Sequence, residues 1–521
     1  MLKNISRSTL LHPILFSIFP VIFFYSQANN ILSFTGFVIP LFLSISLTFL
    51  IWIVLRIILK NKIKAALITS LFVILSLNIG HLNWISQLGI TVIHIVIFFV
   101  VLLIGGSVFI IKSKRKLDNA TVIINSISFV LIVLVLIDIA TYNYEKSYYD
   151  DSIELAPNLK LGISEKYGSP DVYIFILDAH ANHIILEKFF DYNNKEFINS
   201  LKDLEFFVPE KYTNSNYGNT ELSVTSFLNI DYLNNLVPEG VSEKYKIELA
   251  NKLSNNNMVM KNFESMGYKT IGLDSGWIGA RVVNIADENL CDNSLENSRI
   301  LYKLKTNTIV YSIEQIYYNN LAEDSDLEIL DELNQVSNDD DKRQKIFCNF
   351  SELNEIKKKF SSPLFVFFHI LSPHPPWVFD SDGKPPLQII ESESADFEKS
   401  QSAYIKEMEF IDKKIIENVR KIISESDNQP IIVILGDHGS RIVGDEYTDN
   451  EKKVVNYGNL MALYLPYDVE TSYYKTTPVN IFRLIFNSYF NGNYEILENK
   501  VYYNVTSEIT DWEKKVSEVM E

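Results

Sequence analysis

The sequence predicts a two-part α/β protein: five N-terminal transmembrane helices, followed by an α/β/α sandwich with a mostly parallel sheet. Long stretches without charge in the first 141 residues indicate the membrane part. Short, almost uninterrupted apolar runs after residue 168 are typical of strands buried on both faces of a parallel sheet. The charge is also divided: residues 1–141 carry +8 and the remainder −25, which gives −17 for the 521-residue chain.

The membrane helices are predicted from three runs without a charged side chain, at residues 8–55, 65–111 and 119–137. A helix needs about 20 apolar residues to cross the hydrocarbon core. The first two runs are each long enough for two crossings, and the third fits one. We therefore expect transmembrane helices near residues 9–27, 31–59, 63–80, 90–111 and 120–141.

The basic residues of this part predict its orientation. The loops near residues 28–30 and 81–89 carry no charge, whereas the N-terminus and the other two loops are basic. Their basic residues are Lys3, Arg7, Arg56, Lys60, Lys62, Lys64, Lys112, Lys114, Arg115 and Lys116. Because short basic loops stay in the cytoplasm, we expect a multi-pass plasma-membrane protein with a cytoplasmic N-terminus. Five crossings then place everything after residue 141 outside the cytoplasm.

The outer part is predicted to comprise a linker at 142–167, a domain at 168–491 and a C-terminal tail at 492–521. An acid-rich segment at 321–345 is interpreted as solvated surface. Cys291 and Cys348 could form a disulfide in an oxidising compartment. Predicted strands lie at 172–178, 268–275, 363–371, 430–437 and 460–466, with helical segments at 243–266 and 396–426 between them.

Side chains suited to metal binding follow three of the predicted strands. They are Asp178 with His180 and His183, His369 with His374, and Asp437 with His438. Because ligands bind beyond the carboxyl ends of parallel strands, these side chains are candidates for one site. Oxygen and imidazole donors without thiolates suit Zn²⁺ or Mn²⁺, with Mg²⁺ or Ca²⁺ as further options. The alternative is a set of surface loops with satisfied hydrogen bonds.

A candidate nucleophile lies in the hydroxyl-rich stretch SNYGNTELSVTSFLN at 215–229, which opens a predicted helix. A helix N-terminus favours negative charge and can bind an anion. Metal coordination would activate a hydroxyl there for attack on phosphorus. Helix capping explains most such hydroxyls equally well. Spacing alone leaves Ser215, Thr220 and Ser223 as alternatives.

Four motifs together resemble the alkaline phosphatase superfamily, in its sulfatase-like branch of membrane-bound transferases. This branch includes lipoteichoic acid synthases and lipid A phosphoethanolamine transferases, which likewise have five membrane helices and an extracytoplasmic α/β/α domain. The resemblance implies Asp178, Thr220, Asp437 and His438 as metal ligands, with Thr220 as nucleophile. It implies that His369 and His374 lie near the substrate phosphate. The motifs are FILDAHAN, NYGNTELSVTSFLN, HILSPHPP and LGDHGSR, and the late PVNIFRLIFN at 478–487 is similar to the family's closing helix.

Two departures narrow what the resemblance implies. The sulfatase signature, Cys or Ser followed by x-Pro-x-Arg, is absent around Thr220, so formylglycine chemistry is disfavoured. No histidine follows His438, so we expect one firm metal site, and a second metal would have to use His369 or His374. His180 and His183 match no position of the family pattern and are expected to be rim or packing residues.

The leading hypothesis is an outward-facing, metal-dependent phosphoryl-group transferase or phosphodiesterase of the phosphoethanolamine- or phosphoglycerol-transferase type. It would act on lipid headgroups or cell-surface glycans. The alternative enzyme is a sulfatase-type hydrolase of sulfate or phosphate esters. A non-catalytic headgroup-binding protein and a transporter are further hypotheses, although ionisable groups are scarce within the membrane helices. The acidic outer part argues against nucleic acid as a partner, since phosphate backbones require a basic surface.

Overall fold

The computed structural model describes residues 10–28, 34–77, 92–149, 161–291, 339–466 and 477–520. Residue 308 is also described, and residues 239, 274, 278–281, 283, 284, 391, 394 and 395 are not. The described residues fall into two compact units. One unit lies within residues 1–147, and the other lies within residues 148–293 and 334–521. The predicted domain boundaries at 141, 167 and 491 stay predictions.

The first unit consists of apolar helices. They are α1 (His12–Ala28), α2 (Phe34–Leu59), α3 (Lys62–Leu77), α4 (Val92–Lys112) and α5 (Asp118–Tyr149). Within the described residues, three stretches rather than the predicted five are long and apolar enough to cross a membrane: Phe37–Leu59, Ile93–Lys112 and Asp118–Tyr149. Helices α1 and α3 have 17 and 16 residues. At about 1.5 Å per residue they span roughly 25 Å, less than the ~30 Å hydrocarbon core. Five crossings, and the orientation, therefore stay predictions.

Helix α5 continues beyond its predicted end at residue 141. It extends to Tyr149. The polar stretch TYNYEKSYY contains no glycine or proline that would stop the helix at residue 141. The predicted linker at 142–167 thus begins within the helix, and most of the remaining linker residues lie outside the described ranges.

The second unit is built on a six-stranded sheet in the order β3-β2-β4-β1-β5-β6. All neighbouring pairs are parallel except β5 with β6, which is antiparallel. Five of the six strands were predicted. The exception, β3, has only three residues, and Glu288 and Asn289 among them are polar. The strands are β1 (Val172–Leu177), β2 (Lys269–Leu273), β3 (Glu288–Leu290), β4 (Leu364–Ile370), β5 (Ile431–Gly436) and β6 (Met461–Tyr464).

Helices cover both faces of this sheet, as predicted for an α/β/α sandwich. On one face of β1, Tyr173, Phe175 and Leu177 pack with residues of α7 (Lys195–Asp203), α12 (Asp339–Lys359) and α13 (Phe397–Glu425). On the other face, Val172, Ile174 and Ile176 pack with residues of α8 (Thr220–Asn229), α11 (Met258–Ser265) and α15 (Pro478–Tyr489). Every residue of β1, β4 and β5 is buried, which explains their continuous apolar sequences. The helices are α6 (His183–Phe190), α7 (Lys195–Asp203), α8 (Thr220–Asn229), α9 (Leu233–Leu236), α10 (Glu243–Ser254), α11 (Met258–Ser265), α12 (Asp339–Lys359), α13 (Phe397–Glu425), α14 (Asp449–Tyr457), α15 (Pro478–Tyr489) and α16 (Trp512–Met520).

The long helices agree with prediction except at 243–266. There the chain forms α10 and α11 instead of one helix, because Asn257 accepts a hydrogen bond from the Met260 N–H and starts a new helix. Helix α13 spans almost the predicted 396–426. In the acidic segment 321–345, residues 321–338 lie outside the described ranges, and the rest belongs to α12.

Two further features join distant parts of this unit. Cys291, directly after β3, forms a disulfide with Cys348 of α12. The sequence left open whether these two cysteines are bonded or free. The C-terminal residues pack into the unit: the Tyr502 N–H donates to the Asn216 carbonyl at 2.9 Å, and the Trp512 ring lies 5.3 Å from that of Tyr457. The segment after residue 491, predicted as a tail, thus contacts the chain just before the candidate nucleophile.

Candidate metal centre and nucleophile

The order of the sheet brings the three predicted ligand-bearing strand ends together. Strand β1 lies between β4 and β5. Leu177 pairs with Ile370 on one side and with Gly436 on the other. Asp178 and Asp437 therefore leave the sheet at the same level on adjacent strands, at the edge where parallel α/β sheets bind ligands.

Asp178, Asp437 and His438 form a compact, buried group of possible metal ligands. One ligand atom from each lies within 4.8 Å of the others. His438 Nε2 is 3.7 Å from Asp178 Oδ1 and 3.7 Å from Asp437 Oδ2. All three residues are at most 1% exposed. Two carboxylates and an imidazole at these separations can converge on a single divalent cation.

The hydrogen bonds around this group leave the converging atoms available. Asp178 Oδ1 and Asp437 Oδ2 are buried and have no hydrogen-bond partner within the described ranges. The other oxygen of Asp437 accepts from the Ala179 N–H at 2.9 Å. His438 Nδ1 donates to the Gly439 carbonyl at 2.7 Å, which puts the lone pair on Nε2, where Arg441 Nη2 approaches as a weak donor at 3.4 Å. Buried carboxylate oxygens without partners are costly, so a divalent cation fits this site.

Two glycines allow the ligand loop to pass close to its neighbours. A Cβ atom on Gly436 would collide with the His180 carbonyl oxygen, and one on Gly439 would collide with the Val455 carbonyl oxygen. Both obstacles are main chain, so neither can move aside cheaply. The glycines that flank Asp437 and His438 are therefore required by the packing of this turn.

The structure separates the three candidate nucleophiles. Ser215 Oγ donates to the Tyr217 carbonyl at 2.8 Å, and Ser223 Oγ donates to the Asp437 carbonyl at 2.6 Å. Thr220 Oγ1 instead donates to Asp178 Oδ2, at 3.4 Å. Of the three hydroxyls, that of Thr220 alone faces the metal-binding carboxylates.

Thr220 is also the first residue of α8. Asn219 caps this helix by accepting from the Leu222 N–H at 3.0 Å. Capping leaves the N–H groups of Thr220 and Glu221 without acceptors inside the helix. They lie beside the Thr220 hydroxyl, where a helix N-terminus stabilises an anion.

Histidines control the ionisation of Asp178. Burial raises the pKa of this carboxyl, but the charges of His374, His438 and His369, together with the polar contact to His369, lower it by more. The net result holds the pKa of Asp178 well below its usual range. Asp178 is therefore a carboxylate at neutral pH, as a metal ligand must be.

The two histidines expected near the substrate occupy different positions. His369 lies within β4, is 1% exposed, and its Nε2 is 3.9 Å from Asp178 Oδ2. Neither of its ring nitrogens has a hydrogen-bond partner in the described part of the chain. The His374 side chain is 25% exposed, and its Nε2 is 3.8 Å from Glu393 Oε1. His369 thus lines the buried side of the site and His374 its open side.

His180 and His183 are not members of the ligand group, although His180 follows Asp178 by two residues and its carbonyl packs against Gly436. His180 is fully buried, and its Nε2 donates to Asp412 Oδ1 at 2.8 Å. His183 is the first residue of α6. Burial, and secondarily the charge of Lys202, lowers the pKa of His183, which Glu187 opposes.

Arg441 and Glu393 lie at the site without having been predicted. Arg441 Nη2 donates to the Gly218 carbonyl at 2.9 Å and lies 3.4 Å from His438 Nε2. Arg441 stands three residues after a predicted ligand, a spacing that could have indicated it. Glu393 reaches His374 through the fold, and no local pattern in the sequence distinguishes it from other surface acids.

No protein-family model matches the chain, and no curated protein matches it. Solved structures do. The integral membrane lipooligosaccharide phosphoethanolamine transferase A of Neisseria meningitidis matches at 14% identity and a TM-score of 0.39, covering 88% of each chain. The periplasmic domain of EptC from Escherichia coli, in complex with Zn, matches at 11% and 0.42, covering 68% of this chain and 96% of that one.

The lipoteichoic acid synthase LtaP of Listeria monocytogenes also matches, at 15% identity and a TM-score of 0.37, covering 67% of this chain and 82% of that one. At these identities and TM-scores the likenesses do not extend to the chemistry of this chain, which depends on its own residues.

Proposed function

We propose that this chain is a membrane-anchored, metal-dependent phosphoryl-group transferase or phosphodiesterase that uses Thr220 as its nucleophile. Its substrates are lipid headgroups or cell-surface glycans. One observation carries the proposal: the Thr220 hydroxyl faces Asp178 Oδ2 at 3.4 Å, beside a buried group of metal-type ligands. A hydroxyl, a metal site and a helix N-terminus are the parts that phosphoryl transfer requires.

Asp178, Asp437 and His438 would hold the metal, with Thr220 as a fourth donor. Zn²⁺ or Mn²⁺ suits this mixed set best, and Mg²⁺ or Ca²⁺ is the further option. When bound, the cation would supply positive charge that lowers the pKa of the threonine hydroxyl and polarises the phosphoryl group. His369, whose ring nitrogens lie beside Asp178, is the group in reach of a second cation.

The residues of the chain divide the remaining work. Thr220 Oγ1 forms the new bond to phosphorus, and its proton is lost to solvent, since Asp178, whose pKa is lowered, holds the hydroxyl in place but is too weak a base to keep the proton. The N–H groups of Thr220 and Glu221 at the start of α8 hold a phosphoryl oxygen. The bond between phosphorus and the departing alcohol breaks, and that alcohol takes a proton from His374 or His369. A second alcohol or water then takes the phosphoryl group, together with the ester substituent that it still carries, from Thr220.

The position of His374 favours it as the proton donor. Its side chain lies at the open side of the site, where a departing alcohol can leave, whereas His369 is 1% exposed. Glu393 Oε1 lies 3.8 Å from His374 Nε2 and borders the same open side of the site. His374 Nδ1 is held by donating to the Pro375 carbonyl at 2.7 Å, so Nε2 is the nitrogen left to act on substrate.

The location of this chemistry is proposed to be outside the cytoplasm, at the membrane surface. The basic loops of the first 141 residues support a cytoplasmic N-terminus. The Cys291–Cys348 disulfide supports an oxidising compartment for the second unit. Its acidic composition favours lipid and glycan partners over nucleic acid.

Thr220→Ala tests the proposal, with the full chain in detergent and bis(p-nitrophenyl) phosphate as the probe. We expect the variant to lose at least about a thousandfold in kcat, since removal of a nucleophile leaves only residual catalysis. We also expect mass spectrometry of acid-quenched wild-type protein to find a p-nitrophenyl phosphoryl group on Thr220, which is the part of the diester that remains after one p-nitrophenol has left. Ser215→Ala is the matched control, because Ser215 is another buried hydroxyl whose hydrogen bonds go to main-chain carbonyls.

Retained activity and retained phosphoryl adduct in Thr220→Ala would refute the proposal. An aryl sulfate assayed in parallel tests the sulfatase-type alternative. Faster turnover of the sulfate ester than of the phosphodiester would favour that alternative. The missing Cys/Ser-x-Pro-x-Arg signature around Thr220 leads us to expect the opposite.

A further inference from the structure

Helix α13 (Phe397–Glu425) carries buried polar side chains on the face that packs against the candidate site. Tyr404, Glu407 and Asp412 are 1%, 0% and 4% exposed. Their spacings of three and eight residues keep them on one side of the helix. The same side also carries the apolar residues Met408, Ile411 and Ile415, which are buried in the core.

Glu407 is bonded to the loop that carries His374. Its carboxylate accepts four hydrogen bonds: from Ser372 Oγ at 2.6 Å, Lys342 Nζ at 2.9 Å, and the N–H groups of Val378 and Phe379 at 2.5 and 3.2 Å. Lys342 Nζ also donates to the carbonyls of His374 and Pro376, at 2.6 and 2.7 Å. Glu407 thus ties together both ends of the segment 372–379, with His374 between them.

Asp412 is bonded to the loop that carries Asp178. Its Oδ1 accepts from His180 Nε2 at 2.8 Å, and its Oδ2 accepts from Asn194 Nδ2 at 3.0 Å. His180 Nδ1 lies 2.9 Å from the Ala181 carbonyl oxygen, which is also an acceptor. Both nitrogens of the buried ring therefore face acceptors, and the ring joins α13 to the chain two residues after Asp178.

Tyr404 adds a second attachment to the same loop. Its hydroxyl donates to the Ala179 carbonyl at 2.9 Å and accepts from the Ala181 N–H at 3.0 Å. Ala179 has a φ of 63°, a left-handed conformation that costs a residue with a Cβ about 1 kcal/mol or more. In this conformation the Ala179 N–H reaches Asp437 Oδ1 at 2.9 Å. The bonds to α13 hold the strained turn that orders Asp178 and Asp437 together.

Stability alone does not explain these carboxylates. Burying an ion pair costs several kcal/mol of desolvation, and apolar residues of similar size often stabilise a core more. The neighbours of Glu407 and Asp412 on this face are such residues. Glu407 adds acceptors for the Val378 and Phe379 N–H groups, and Asp412 adds a fixed partner for the buried His180 ring.

We propose that Glu407 and Asp412 are positioning residues of the active site. Glu407 sets the position of His374 and controls turnover, whereas Asp412, through His180, sets the position of Asp178 and controls metal affinity. This inference rests on the proposed function for its turnover half. Its metal-affinity half depends only on the ligand group.

The test compares Glu407→Gln and Asp412→Asn in the full chain in detergent. We expect Glu407→Gln to lower kcat on diphenyl phosphate, whose phenolate leaving group needs the proton that His374 donates, by about 10- to 100-fold, since small misplacements cost this much, with the Zn²⁺ dissociation constant within about twofold of wild type. We expect Asp412→Asn to weaken Zn²⁺ binding, titrated against a competing chelator, by about 10- to 100-fold. A merely structural role would not lower kcat alone in Glu407→Gln and weaken Zn²⁺ binding in Asp412→Asn.

Asp171 provides a matched control at the opposite end of the sheet. This carboxylate is 5% exposed and accepts hydrogen bonds from Lys357 Nζ, from Ser362 Oγ at 2.9 Å and from the Leu364 N–H at 2.8 Å. Asp171→Asn therefore removes a buried, lysine-paired charge of the same kind just before β1. We expect it to lower the Tm comparably and to leave kcat and Zn²⁺ affinity unchanged in the folded protein.

Two further variants make each outcome decisive. If Glu407→Gln does not fold, Ser372→Ala removes one of the four donors, and a fall of about threefold or more in kcat is expected. The inference is overturned if folded Glu407→Gln and Asp412→Asn have the same kcat and Zn²⁺ affinity as Asp171→Asn. It is also overturned if kcat and Zn²⁺ affinity both fall in Glu407→Gln, Asp412→Asn and Asp171→Asn alike. Thr220→Ala, run in parallel, separates the two proposals. Full activity in Thr220→Ala refutes the proposed function, while the Zn²⁺ result for Asp412→Asn still decides the positioning role.

Discussion

Asp437→Asn is expected to remove most of the thermal stabilisation that a divalent cation gives this protein. The amide keeps the shape of the side chain and can still accept the Ala179 N–H through Oδ1. It removes the negative charge at Oδ2, a buried oxygen with no hydrogen-bond partner within the described ranges. The variant therefore alters the metal site while it preserves the turn that carries it.

The size of the effect follows from mass action. At a free metal concentration of 100 times Kd, binding stabilises the folded protein by about 2.7 kcal/mol. A unit of roughly 300 residues gains about 0.6 kcal/mol/K of entropy on unfolding, so its Tm should rise by about 4 °C. Loss of a residue that only supports a ligand weakens binding about 10- to 100-fold, so loss of a ligand charge should cost at least about a hundredfold. The remaining stabilisation is then about 0.4 kcal/mol, which shifts Tm by less than about 1 °C.

The assay is thermal unfolding of the chelator-treated full chain, with Zn²⁺, Mn²⁺, Mg²⁺ and Ca²⁺ added in turn. Asp171→Asn, a buried carboxylate at the other end of the sheet, should keep the full shift of about 4 °C. Two results would contradict the reasoning. One is a shift in Asp437→Asn equal to that of wild type, and the other is a wild-type protein that none of the four cations stabilises.

Three other perturbations have defined outcomes. His374→Gln should lower kcat on diphenyl phosphate, whose basic phenolate leaving group needs a proton, by about 10²- to 10⁴-fold with Zn²⁺ affinity unchanged and a much smaller loss on bis(p-nitrophenyl) phosphate; equal losses on the two substrates would argue against proton donation. Replacing Cys291 and Cys348 by Ser opens a loop with a sequence separation of 57 residues, which should cost about 2–4 kcal/mol in chemical denaturation; an unchanged midpoint would show that the crosslink does not stabilise the unit. Because the folded-state pKa of His183 is lowered, the unfolded chain binds more protons, so stability should fall as pH drops below the ordinary histidine pKa of about 6.5; His183→Gln should show less of this loss between pH 7 and 5, and an identical pH profile would refute it.

The strands of the second unit were largely predictable because each depends on a short stretch of sequence. The apolar runs that became β1, β4 and β5 are continuous because helices cover both faces of the sheet. Strand β3 was missed because three residues, two of them polar, carry no periodic signal. The C-terminal residues after 491 were predicted as a tail because Val501 and Tyr502, although buried, stand between polar neighbours.

The choice of nucleophile illustrates where sequence reasoning from the residues ended. Ser215, Thr220 and Ser223 were equivalent as hydroxyls near the start of one helix. The fold directs two of them to main-chain carbonyls and Thr220 to Asp178. Only a family resemblance separated them in advance, since the direction of a side chain depends on what packs around it.

By itself, the sequence determined the division into a part of apolar helices and an α/β part, five of the six strands of the sheet and the residue types of a candidate metal site. These depend on composition and local periodicity, which each segment expresses alone. Tertiary structure decided which strand ends are neighbours, because the order β4-β1-β5 joins segments nearly 200 residues apart along the chain. It also decided that His180 is a buried partner of Asp412 while His438, of the same residue type, faces two carboxylates. The physical reason is that the role of an ionisable side chain is set by the charges and hydrogen-bond partners that the fold places around it.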